Sequence, residues 1–166
     1  MVAAMARGGL VLALVALLLM PGPASAADAD ADVWATVNVC DTAKHPNAIG
    51  VRASMPGARR ANVRLYMRFR VQWKDPTDGL WHNLIDQGDS GFISVGRPKD
   101  GARRQGGYLF RFQAPEKPLR LRGRVDFQWR IGKRVVKRDI ALTEKGHRSG
   151  AGSDPKGYSA ATCMLR

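Results

Sequence analysis

One hydroxyl in this sequence carries the neighbourhood of a nucleophile: Ser90, in Gly88-Asp89-Ser90-Gly91. A serine of that kind needs a histidine base, a buried aspartate to hold the histidine, and backbone amides around the developing oxyanion. The chain offers three histidines, His45, His82 and His147, scattered along its length. The plainer reading is a polar turn entering a strand, because a short motif outside its context is weak evidence. No catalytic residue is assigned.

Metal chemistry has equally little to work with. Asp75 and Asp78 fall in Asp75-Pro76-Thr77-Asp78-Gly79, where aspartates cap a turn by accepting bonds from their own backbone. A calcium loop demands more oxygen ligands at short spacing. His82, between Trp81 and Asn83, reads as a surface strand residue. No phosphate-cradling loop, acid/base carboxylate pair or nucleotide fingerprint occurs, so neither metal nor cofactor is expected.

Guanidinium is abundant instead. Twenty-seven Lys and Arg against 14 Asp and Glu give a net charge of +13, and much of it follows a period of two. Val63, Leu65, Met67, Phe69, Val71 and Trp73 alternate with Arg64, Tyr66, Arg68, Arg70 and Gln72. Leu119, Leu121, Gly123, Val125, Phe127 and Trp129 alternate with Arg120, Arg122, Arg124, Asp126, Gln128 and Arg130. That period puts one set in a core and the other in water, so both outward faces are basic. Guanidinium matches phosphate and carboxylate oxygens two at a time, which makes Arg64, Arg68, Arg70, Arg120, Arg122 and Arg124 the candidate polyanion site. Arg59, Arg60, Arg97, Lys99, Arg103 and Arg104 add charge from loops. Outward charge also solvates strands and blunts sheet edges, a role that needs no ligand. Tyr66 is the lone aromatic counted on this face, too little for base stacking, which disfavours nucleic acid.

The elements that position these residues are strands. Weaker ones are expected at Val33–Cys40, Ile49–Met55, Trp81–Ile85, Gly91–Val95, Gly107–Phe112 and Arg134–Leu142, with a short one at Ala161–Leu165. No segment reads as helix. Asp75 to Gly79 suits a hairpin, and Gly132-Lys133 a two-residue turn with positive φ. Two glycine-rich loops, Gly96–Gly106 and Glu144–Ser159, are expected to be mobile. This spacing predicts an all-β antiparallel sandwich of about seven to nine strands, with a small lipocalin-like barrel around a hydrophobic ligand as the alternative. Trp73, Trp129, Phe69, Phe110, Phe112 and Phe127 have the bulk to fill an interior, which favours the sandwich.

Trp73, inward on the third strand, and the Leu119 to Val136 stretch, which looks like a closing hairpin, resemble the immunoglobulin-like and fibronectin type III-like sandwich. The resemblance implies that the two arginine-rich strands are neighbours, so that their arginines share one exposed face. A further set is similar to small secreted proteins of high-GC bacteria: an early cysteine, an Arg-rich long strand, Gly123 to Arg130 (Gly-Arg-Val-Asp-Phe-Gln-Trp-Arg), Val135-Val136 and a closing cysteine. That likeness covers most of the mature chain, and its structural motifs imply no active site. The Ser90 segment resembles the nucleophile segment of chymotrypsin-like serine proteases, but Lys44-His45-Pro46 and Gly91-Phe92-Ile93 depart from that family's pattern. Too little chain precedes Ser90 to build the first barrel and half of the second that the family needs before its serine.

Arg7, the apolar run Leu10–Met20 and Ala24-Ser25-Ala26 read as a signal peptide cleaved after Ala26. Eleven apolar residues at about 1.5 Å each cover only about half of a bilayer core. Residues 27–32 form an acidic alternation expected to be disordered, which leaves 33–166 as one domain. Losing Arg7 with the leader takes the net charge from +13 to +12. Export implies an oxidising compartment, where Cys40 and Cys163, the two cysteines of the chain, are expected to pair. The expected function is that of a secreted or wall-associated, non-enzymatic module binding anionic envelope polymers or anionic lipid. A protein partner and a purely structural accessory role are the other readings.

Overall fold

The computed structural model describes residues 33–97, 102–147 and 152–166. The expected signal peptide and acidic tail, residues 1–32, lie outside the described residues. Nine strands follow one another: β1 (Trp34–Thr42), β2 (His45–Met55), β3 (Val63–Lys74), β4 (Trp81–Asn83), β5 (Asp89–Gly96), β6 (Arg104–Arg111), β7 (Leu119–Ile131), β8 (Arg134–Leu142) and β9 (Cys163–Leu165). No helix occurs among the described residues. β1-β2-β6 form one sheet and β4-β3-β7-β8 the other, with β5 pairing β3 and β9 pairing β7. Every pairing between named strands is antiparallel.

β4 and β5 lie end to end along one edge of β3, opposite Gln72–Lys74 and Leu65–Arg70 respectively. The ladder continues across their interruption, since Leu84 N donates to Val71 O at 2.9 Å and Val71 N to Gly88 O at 2.8 Å. Turns behave as their residues dictate. Asp75 Oδ1 accepts from Thr77 N and Asp78 Oδ1 from Leu80 N, both at 2.7 Å, and Gly132 takes a φ of 57° between β7 and β8.

The inward sets of the two sheets meet. Val37, Ile49, Val51 and Met55 pack against Leu65, Met67, Phe69, Val71, Leu121, Val125 and Phe127. Fully burying one such side chain contributes about 1.5–3 kcal/mol, so the period-two pattern is the main source of stability. The sheets approach closely at Gly123, where an added Cβ would stand 2.7 Å from Thr143 Cγ2 and 2.8 Å from both Val51 methyls. Cys40 of β1 and Cys163 of β9 form the disulfide, Cα atoms 5.4 Å apart, and join one sheet to the other.

The expected sandwich forms: the two sheets do not close into a barrel, and large side chains fill the space between them. Two expectations are corrected. Trp73 is only partly buried and sits beside His82, whereas Trp129 is 3% exposed and donates its indole N–H to Pro56 O at 3.0 Å. The described part of the loop after β8 is pinned on β1: Glu144 N donates to Ala35 O, Asp154 N to Asn38 O, and Ala160 pairs with Val37. It covers the outward side of β1 and β2, which is why Thr36, Asn38 and Arg52 are buried there.

Candidate functional site

β3 and β7 pair along their length, from Val63 opposite Ile131 to Trp73 opposite Leu121. Residues opposite one another project to the same side, so the even-numbered residues of both strands share the outward face of the six-stranded sheet. One row reads Phe92, Arg68, Asp126, Ile140; the next reads Asp89, Arg70, Arg124, Leu142. Arg64, Arg68, Arg70, Arg120, Arg122 and Arg124 all stand on this face. Antiparallel pairing spreads them along it: Arg64 lies opposite Arg130 at one end, and Arg120 lies opposite Met164 near the other. Lys74, Arg130 and Arg138 bring the outward cations of these strands to nine, against two carboxylates, Asp89 and Asp126.

The two acids divide the arginines. Arg68 Nε donates to both Asp89 oxygens, at 2.9 and 3.0 Å, and its Nη2 bonds the same carboxylate. That fork, helped by the Gly91 amide, holds the Asp89 carboxyl below the usual aspartate range and raises Arg68 in return. Arg70 donates to Asp126 Oδ2 at 2.5 Å, and Arg124 reaches Oδ1 at 3.5 Å. Arg64, Arg120 and Arg122 have no carboxylate partner among the described residues. Arg122 donates instead to Gln72 Oε1 at 2.8 Å, and burial, then the neighbouring Arg124, pushes it below the usual arginine value.

Aromatic rings underlie these cations. The Arg122 guanidinium stands 4.3 Å above Trp81, and that of Arg130 stands 4.2 Å above Tyr66 and 4.5 Å above Phe92. A guanidinium stacked by its face keeps its in-plane N–H donors for other partners. Tyr66 is therefore not the lone aromatic. Trp81 and Phe92 join it because β4 and β5 flank β3 on the side away from β7, a pairing that no pattern within either strand reveals.

β8 is turned over. Its Lys137, Asp139 and Ala141 lie opposite the inward residues Trp129, Phe127 and Val125, while Ile140 and Leu142 lie opposite the outward Asp126 and Arg124. A register shift beside Val136 sets this orientation, because a one-residue slip exchanges the two faces of a strand. Lys137 Nζ lies 4.7 Å from the Trp129 ring, an inward charge of the kind that protects sheet edges. Ile140 and Leu142 are left 51% and 42% exposed, and Met164 39%.

Elsewhere the polar groups serve the fold. Ser90 Oγ accepts from Phe69 N at 2.9 Å and donates to Gly91 O at 2.8 Å, shaping the bulge that carries Asp89. His147 stacks on Trp34 at 4.1 Å, with its Nε2 2.9 Å from Glu144 Oε1. Asp75, Asp78 and His82 each bring one ligand atom within 4.8 Å of the others, a convergence that spacing alone did not show. His82 Nε2 meets Asp78 Oδ2 at 2.7 Å, and both aspartates also accept the turn amides. A cavity of about 450 Å³ lies by the three-stranded sheet, lined by residues that include Asn38, Arg52, Gly107 and Leu109. A scan against protein-family models finds no match for the chain, and neither does a search of curated proteins.

Proposed function

We propose that the protein is a secreted, non-enzymatic, immunoglobulin-like module that binds polyanions of the cell envelope through the outward face of its six-stranded sheet. The observation that carries this is the imbalance of that face: nine cations against two carboxylates, with Arg64, Arg120 and Arg122 free of carboxylate partners among the described residues. Guanidinium donors fixed on a rigid sheet take phosphate or carboxylate oxygens without first being ordered, which favours binding. The aromatic faces lie under arginine, so they are not open to nucleobases, and stacking of single-stranded nucleic acid is disfavoured. The immunoglobulin-like reading is supported by strand order: β1-β2-β6 against β3-β7-β8 resembles the A-B-E and C-F-G sheets of that fold. Its disulfide differs, joining the first and last strands. Export fits the disulfide and the apolar leader.

Titration of the protein with long-chain polyphosphate across a salt series tests the reading. Binding that weakens steeply with salt is expected. No binding at low salt would refute it.

A further inference from the structure

We infer that the partner of this face is an anionic lipid bilayer, with lipid phosphates on its arginines and hydrocarbon against the apolar border of β8 and β9. This rests on the polyanion reading above and names its partner. The inverted strand carries it. A strand at the edge of a sandwich gains stability by turning its apolar residues inward, yet β8 turns Lys137 and Asp139 inward and Ile140 and Leu142 out. Those two side chains occupy the same rows as Arg68 and Arg70, and Met164, opposite Arg120, continues the border onto β9.

Cationic and apolar side chains thus share one plane, the combination by which peripheral proteins hold anionic membranes. A cavity of about 250 Å³ opens where the two zones meet, lined by residues that include Arg68, Arg70, Arg138 and Ile140. Asp126 and Asp139 also line it, Asp126 already bonded to Arg70. A wall polymer offers charge without hydrocarbon, and a second copy of this chain would bring the same positive face and be repelled. A bilayer containing acidic phospholipid matches both zones.

The test is co-sedimentation with vesicles of phosphatidylcholine alone and of phosphatidylcholine mixed with phosphatidylglycerol, beside titration with soluble polyphosphate. Wild type is compared with a variant carrying Ile140→Ser and Leu142→Ser, its fold checked by circular dichroism. The expected result is pelleting with the mixed vesicles only, and a loss of at least about tenfold in vesicle affinity for the variant with polyphosphate binding unchanged. Vesicle binding equal to wild type in the variant, or polyphosphate binding without vesicle binding, overturns the bilayer and leaves the polyanion reading standing. Binding to neither overturns both. Should that variant misfold, Ile140→Trp, at a half-exposed position on the border itself, reads the same contact: with brominated lipid in the mixed vesicles, quenching beyond that of wild type is expected, and its absence overturns the inference.

Discussion

Asp126 and Ile140 stand directly opposite each other across β7 and β8, so a carboxylate that engages two arginines lies beside a half-exposed apolar side chain on the same face. The face is therefore a charged field with a hydrophobic margin, and its acids temper the charge rather than cancel it.

Removing one of those acids should strengthen anion binding. Asp89→Asn releases Arg68 from its fork and adds one unit of positive charge to the face. Polyphosphate affinity at low salt is expected to rise about two- to fivefold, while stability falls by about 1 kcal/mol or less, as for a partly exposed pair. Titration calorimetry and urea unfolding measure the two effects.

The same residue sets a pH dependence. Its carboxyl lies below the ordinary aspartate value because Arg68 bonds it, so its stabilising contribution is complete above about pH 4 and is lost as pH falls through the depressed value. Urea midpoints of wild type and Asp89→Asn should differ at pH 6 to 7 and converge at acid pH; a constant difference would contradict the assignment.

The disulfide closes a span of 123 residues. Chain entropy assigns such a bridge about 4 to 5 kcal/mol, a large share of the 5–15 kcal/mol typical of a domain. Replacing Cys40 and Cys163 together by alanine should lower unfolding free energy by about that amount, and reduction of the wild type should reproduce the loss.

Gly123→Ala tests the packing of the sheets. Its methyl would press on Val51, whose branched side chain is stiff, and on Thr143. A loss of about 1–3 kcal/mol by denaturant unfolding is expected, against a smaller effect for alanine at Gly107, where the nearest atom, the Val51 carbonyl oxygen, would stand 3.3 Å away.

The strands were legible in the sequence because two long runs, Val63 to Trp73 and Leu119 to Trp129, alternate strictly, and core burial enforces that period. The disulfide was legible because two cysteines leave one pairing. The face was legible only in part. Which arginines are engaged depends on Asp89, held by a bulge around Ser90 and Gly91, and on Trp81 and Phe92, brought across by β4 and β5. These are cross-strand relations with no signature inside one strand. The orientation of β8 was hidden for the same reason, since a one-residue register shift beside Val136 decides which side Ile140 takes.

The central claim is that this sheet face binds polyanions, and the most direct measurement is a salt series on a variant carrying Arg64→Gln, Arg120→Gln and Arg122→Gln, whose guanidiniums have no carboxylate partner among the described residues. Titrated with polyphosphate beside wild type, the variant should bind at least about tenfold more weakly at low salt, with a slope of log affinity against log salt shallower by about 2 to 3. Equal affinity and slope in the two proteins would show that the face takes no part in binding.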